Sequence, residues 1–279
     1  MNLTKTPGNS SESNDCMLCL DSPIYLPARG SYFLLSLPIN AWVLWLMTSS
    51  PVFLTDKMEV FEFQLVLTEI VYLCTEPIYL ATWGKPTSRW SLNMALLNNM
   101  VFYGRLEFQT MMALERCLAV LRPVVFLRYR GLRYRAACCA GIWLHMLFFY
   151  GFQLLLCQEP AVFAILCSVS FAFLFVLNSW CCVSILLVLW CRGRRGEGGD
   201  PVKRRACQVI LVIQVTTVVG YVPSFLLYSL STTLTEDRFC VWQPITRCLL
   251  LCSGLIHPIH SLLRTWRGLH LNTCIFRGS

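Results

Sequence analysis

Residues 161–191 read AVFAILCSVSFAFLFVLNSWCCVSILLVLWC, and residues 192–205 follow with RGRRGEGGDPVKRR. The first stretch is longer than the roughly 20 helical residues needed to cross a hydrocarbon core about 30 Å thick. A backbone in lipid must satisfy its own hydrogen bonds, so this stretch is predicted to be a membrane-spanning helix. The second stretch sets Arg192, Arg194, Arg195, Lys203, Arg204 and Arg205 among glycines and Pro201, the composition of a mobile loop. Lys and Arg beside the end of a span stay cytoplasmic. The loop is therefore expected inside the cell.

Working outward, comparable apolar runs occupy Ser31–Thr48, Phe61–Trp83, Leu92–Cys117, Ala136–Leu156, Ala206–Leu230 and Val241–Leu263. With Ala161–Cys191 they make seven spans. The chain is 56% hydrophobic and 14% charged, against about a quarter charged in a soluble domain. The deficit points to a lipid-facing surface and to one helical domain. The fold class expected is all-α, a seven-transmembrane helix bundle.

Positive charge alternates between the gaps. Arg122, Arg128, Arg130, Arg133 and Arg135 lie between spans three and four, and Arg264, Arg267 and Arg277 follow span seven. The opposite gaps hold Lys85 and Arg89, and Arg238 beside Glu236 and Asp237. The N-terminus is thus predicted outside and the C-terminus inside, a parity that seven crossings satisfy. This distribution also explains the net charge of +8 without a nucleic-acid partner.

Three regions follow. Residues 1–30 are expected to form an extracellular glycosylated tail, with acceptor motifs at Asn2-Leu3-Thr4 and Asn9-Ser10-Ser11. No cleavable signal peptide is evident there, so span one is expected to act as the targeting signal. Residues 31–263 form the transmembrane domain. Residues 264–279 are a short cytoplasmic tail whose Trp266, Leu269, Leu271 and Phe276 suit a short interfacial helix after the last span. Cys274 in this tail is a candidate palmitoylation site. Most of the 16 cysteines fall inside spans, where a free thiol behaves as a small apolar group.

Polar residues inside the spans narrow the class. Span one has Asn40-Ala41-Trp42-Val43, span two Glu69 and Glu76-Pro77, and span three ends in Glu115-Arg116-Cys117. Span four has Trp143, span six Tyr221-Val222-Pro223, and span seven His257-Pro258-Ile259-His260-Ser261. In this order the motifs resemble those of rhodopsin-like (class A) G-protein-coupled receptors, over roughly residues 30–270. The finer match is to the branch holding nucleotide, protease-activated and chemoattractant receptors. It rests on Tyr103-Gly104, Phe108, Leu118-Ala119-Val120, Pro123 and Lys203-Arg204-Arg205.

The resemblance implies a multi-pass plasma-membrane receptor that binds an extracellular small-molecule or peptide ligand and activates a heterotrimeric G protein. Membrane lipid is its other partner; no cofactor or metal is implied. Glu115, Arg116, Lys203 and Arg204 would serve G-protein coupling. Lys203 stands where many relatives have an acid, so a weaker resting lock and some ligand-independent signalling are expected. In the family, the acid of span two often helps hold a sodium ion. Here Arg105 falls opposite Glu69, and a Glu69–Arg105 ion pair is expected in its place, with Asn40, Ser253, His257 and Pro258 around it. An outer pocket would be lined by Arg247, Glu76, Tyr79, Asn98, Asn99, Tyr221 and Tyr228. Arg247 suits a nucleotide- or carboxylate-like anion, although Glu76 is positioned to pair with it; a peptide or lipid ligand is the alternative.

The pattern also breaks. No cysteine stands where the family's span-three disulfide begins, and Cys182 and Ser261 replace its switch tyrosines. The resemblance admits instead a bridge from Cys16 or Cys19 to Cys240, as in some chemoattractant receptors. These losses keep open a second function: a non-signalling relative that binds or scavenges. No transporter repeat, phosphate loop, nucleophile motif or metal-ligand spacing supports a transporter or an enzyme.

Overall fold

The computed structural model describes residues 25–49, 60–82, 89–129, 131–155, 160–193, 201–230 and 233–276. All the regular elements among them are helices. They are α1 (Tyr25–Ser49), α2 (Val60–Thr82), α3 (Arg89–Leu121), α4 (Pro123–Tyr129) and α5 (Leu132–Leu155), then α6 (Pro160–Gly193), α7 (Pro201–Thr216), α8 (Val222–Ser229) and α9 (Glu236–Phe276). A π-helical turn, Thr217–Tyr221, joins α7 to α8. Pro223 follows at once. A helical proline removes a donor and crowds the carbonyl four residues back, and a π-bulge absorbs that strain.

Among the described residues, five segments are long and apolar enough to cross a membrane: Tyr25–Ser49, Leu132–Leu155, Ile165–Val188, Cys207–Leu227 and Asp237–Leu263. Helices α2 and α3 also have the length, at 23 and 33 residues, and each carries charge near its centre. Much of that charge is turned inward. Glu69, Glu76, Arg105 and Glu115 are all buried. The outward surface is apolar instead: Leu34, Phe148, Leu155 and Phe173 are each 66% exposed or more. Such a surface is stable against lipid and not against water.

Helix α3 is central. It packs against α2, α4, α5, α6 and α7, while α9 closes the other side against α1, the π turn and α8. Two apolar clusters fill the bundle. Phe61, Leu65, Phe108, Met112 and Ile213 belong to one, and Tyr72, Leu73, Phe102, Leu106 and Leu251 to the other. Along α2, Glu69 falls between the two. The fold therefore places a charged layer between two greasy ones.

Two boundaries differ from the sequence pattern. The apolar run of span one predicts a start at Ser31, with Arg29 in the tail; α1 begins at Tyr25 and buries Arg29. The tail after span seven predicts a separate helix; α9 instead runs unbroken to Phe276. No proline lies between Pro258 and Phe276 to stop it, and Gly268 alone does not end a helix.

Candidate functional site in the bundle core

Arg105 on α3 reaches across to α2. Its Nε lies 2.9 Å from Glu69 Oε2, with each side chain 3% exposed or less. The Tyr32 hydroxyl of α1 donates to the other carboxylate oxygen. Three helices thus converge on one acid. The guanidinium also lies over the rings of Phe102 and Tyr72, 4.7 and 5.2 Å from their centroids, an attraction that grows with desolvation.

Gly254 of α9 is the floor of this cluster. A Cβ there would overlap Arg105 Nη1 and the Tyr32 hydroxyl and stand 3.3 Å from Arg105 Cζ. The backbone of α9 approaches the ion pair because this residue has no side chain. Gly254→Ala gains about 1 kcal/mol of helix propensity but overpacks a filled site, at about 1–3 kcal/mol. The melting temperature of the detergent-purified chain is expected to fall. Gly151→Ala, where nothing lies within 4 Å of the added carbon, should hold or raise it. Equal shifts for the two would refute the role given to Gly254.

Below the pair lies a cavity lined by Asn40, Glu62, Leu65, Val66, Glu69, Arg105, Gln109, Gly254, His257, Pro258 and Ser261. Asn40 donates to Ser36 O and Ser36 Oγ, both at 2.9 Å. Asn40 Oδ1, Gln109 Oε1, Arg105 Nη1 and Nη2, and His257 Nε2 are enclosed without a hydrogen-bond partner. The lining therefore offers both donors and acceptors, the requirement for a wet cavity. Ser253 is not part of it. Its Oγ donates to Leu250 O of its own helix at 2.7 Å, and it faces Gly220, where an added Cβ would meet it at 2.5 Å.

The outer residues are placed differently from expectation. Glu76 does not pair with Arg247. It accepts two hydrogen bonds from Arg29, one from Nε at 3.0 Å and one from Nη2. Arg29, just past the first turn of α1, lies close enough to α2 to make this bidentate pair, geometry open only to arginine. Arg247 Nη1 donates instead to Asn99 Oδ1 at 3.5 Å. Asn98 is turned to α2, where it accepts from Thr75 Oγ1 at 2.8 Å. Tyr221 is a core residue and not a pocket wall: it is buried, and its hydroxyl donates to Phe102 O at 3.3 Å. The side chains of Tyr79 and Tyr228 lie outside the described residues.

At the other end of α3, Glu115 accepts from Arg135 Nη2 of α5. The sequence pairs Glu115 with Arg116 and counts Arg135 only as a loop cation. In the fold, both Glu115 and Arg135 are buried, and Arg116 is half-buried beside them. The side chains of Lys203 and Arg204 lie outside the described residues, as do Asn2, Asn9, Cys16 and Cys19. Cys240, near the start of α9, is disulfide-bonded. Among the described residues no group of His, Cys, Asp or Glu could hold a metal ion.

This chain is similar to chemokine XC receptor 1. With the human receptor it shares 32% identity over 119 residues, 40% of this chain and 34% of the receptor. With the mouse receptor it shares 25% over 242 residues, 80% of this chain and 71% of the receptor. The match to the human receptor thus spans about a third of that protein's length. No protein-family model matches the chain. The similarity supports a rhodopsin-like G-protein-coupled receptor. Together with the apolar helices, it makes the chain a multi-pass protein of the plasma membrane.

Proposed function

We propose that the chain is a seven-span receptor, N-terminus outside, that binds an extracellular ligand and activates a heterotrimeric G protein. The observation that carries this is the end of α3. Glu115 and Arg116 stand side by side there, with the carboxylate held by a neighbouring helix and the arginine half-buried. A guanidinium so placed offers a donor fork to the carbonyls of an incoming helix C-terminus. Helices α2 and α3 complete the seven crossings, because the charges at their centres, Glu69, Glu76 and Arg105, are buried inside the bundle. The similarity to a chemokine receptor favours a protein or peptide ligand. Arg247, beside Asn99, is the cation proposed to take an acidic group of that ligand.

The test is nucleotide exchange on purified G proteins by membranes bearing the tagged chain, alone and with a panel of chemokines. Exchange above mock membranes is expected. Arg116→Ala should remove it at unchanged surface level, with a loss on the order of tenfold or more. Exchange equal to mock under every condition, from a chain present at the surface, would refute coupling.

A further inference from the structure

Residues 127–135 read Leu-Arg-Tyr-Arg, one glycine, then Leu-Arg-Tyr-Arg again. This repeat turns the chain from the end of α4 into the start of α5. Leu127, Arg128 and Tyr129 are exposed, and so are their counterparts Leu132, Arg133 and Tyr134. Of the two fourth positions, Arg135 turns inward to Glu115, and Arg130 lies outside the described residues. Helix α5 opens from Gly131, whose carbonyl accepts from Tyr134 N at 3.1 Å. The rings of Tyr129 and Tyr134 meet edge to face, 5.2 Å between centroids and 78° between planes. The two copies are thus folded against each other. Arg128 and Arg133, each one residue before its tyrosine, flank the same seam.

The composition of this seam fits neither bulk phase. Leu127 and Leu132, 64% and 57% exposed, are disfavoured in water. The arginines are disfavoured in hydrocarbon, and tyrosine settles where the two phases meet. The seam therefore belongs at headgroup level, where the span of α5 begins. No Asp or Glu occurs between Glu115 and Glu159. Among the described residues neither Arg128 nor Arg133 makes an ion pair. Both forks are left for an anion from outside the chain. One guanidinium fork takes two oxygens of one phosphate, and a phosphomonoester carries close to two negative charges. Two forks at one seam are matched by two such groups on one headgroup. Phosphatidylserine matches less well, because its one phosphate is a diester and its ammonium repels arginine.

We propose that the repeat binds an inner-leaflet lipid whose headgroup bears two phosphomonoesters, a phosphoinositide. Arg128 takes one phosphate and Arg133 the other. The tyrosine hydroxyls are further donors at the seam, and Leu127 and Leu132 rest against the acyl chains. Calling that leaflet the inner one rests on the orientation proposed above. The binding itself does not, and G-protein exchange plays no part in its test.

The full-length chain would be placed in phosphatidylcholine nanodiscs, which expose both leaflets. The discs would also hold phosphatidylinositol bisphosphate and phosphatidylserine at equal total charge, and native mass spectrometry would count the lipids retained on the chain. The bisphosphate is expected to be retained about tenfold more than phosphatidylserine. Arg128→Gln or Arg133→Gln alone should lower its retention about fivefold, and the two together should erase the preference. Arg238→Gln, at an exposed position beside the start of α9, should leave it unchanged. All three arginines are exposed, so the variants are expected to fold, which their melting temperatures check. Equal retention of the two lipids by the unaltered chain overturns the proposal. So does a preference that survives the double variant, or one that Arg238→Gln removes as well. Soluble inositol trisphosphate that competes fully at the lipid's own concentration would mark a phosphate site without a lipid, and also overturns it.

Discussion

Arg105→Leu is expected to strip the chain from the cell surface. The change leaves the Glu69 carboxylate buried with only the Tyr32 hydroxyl as a partner. Breaking a buried pair by removing one member costs about 3–5 kcal/mol, a large share of a total stability of about 5–15 kcal/mol. The decisive comparison is the double variant Glu69→Gln, Arg105→Met. It removes both charges, keeps a carbonyl acceptor for Tyr32 and roughly conserves volume. Replacing both members of such a pair is often neutral, so surface level and melting temperature should recover most of the loss. Should the double variant be as poor as the single one, the pair is not what holds these helices. The same geometry bears on sodium. A guanidinium already fills the place opposite Glu69, so signalling by the unaltered receptor should not change when sodium is replaced by choline. A shift in sodium would show that the arginine leaves that place.

The helical bundle and the Glu69–Arg105 contact could be read from the sequence because each follows from cost. An acid and a base deep in neighbouring apolar runs have few ways to avoid lipid other than each other. Arg29 and Glu76 obey the same rule but were harder to see. Arg29 sits two residues after Pro27 and one before Gly30, and so reads as tail. Only the early start of α1 brings it beside α2. Arg135 was hidden by abundance, one of five arginines between spans three and four. Which of them turns inward depends on the rotation of α5. Gly254 leaves no signal in periodicity at all; its role is defined by what two other helices place against it. His145 could have been noticed as a lone histidine in an apolar run, but a contact with Glu107 38 residues earlier cannot be told from spacing. The outer pocket was the least legible part, since Asn98 and Tyr221 turned out to be engaged by α2 and by the backbone of α3.

Arg135→Ala should lower ligand-independent G-protein activation. Glu115 has two cations near it: Arg135 across the helix gap, hydrogen-bonded to it, and Arg116 next in the chain. A carboxylate shared between two guanidinium groups holds each less firmly than it would hold one. On the proposed coupling, Glu115 would restrain Arg116 only in part while Arg135 is present, and a fraction of receptors would present it to the G protein at rest. Without Arg135, the same carboxylate turns wholly to Arg116, and that fraction falls. A coupling of about 1 kcal/mol would lower basal exchange about fivefold, read per receptor at the surface. Arg135→Lys restores a cation without the planar fork and should lie between the two. Glu115→Gln acts in the opposite direction, because it releases Arg116 and raises basal exchange. Both variants also lose stability, since each leaves a buried charge without its partner, and the readout must be normalised to folded receptor for that reason. The opposed signs separate a switch from a mere structural contact. A structural contact would lower exchange in both variants in proportion to surface level, whereas a shared carboxylate drives them apart. If Arg135→Ala raises basal exchange, Arg135 is itself the resting lock, and the restraint on Arg116 comes from elsewhere.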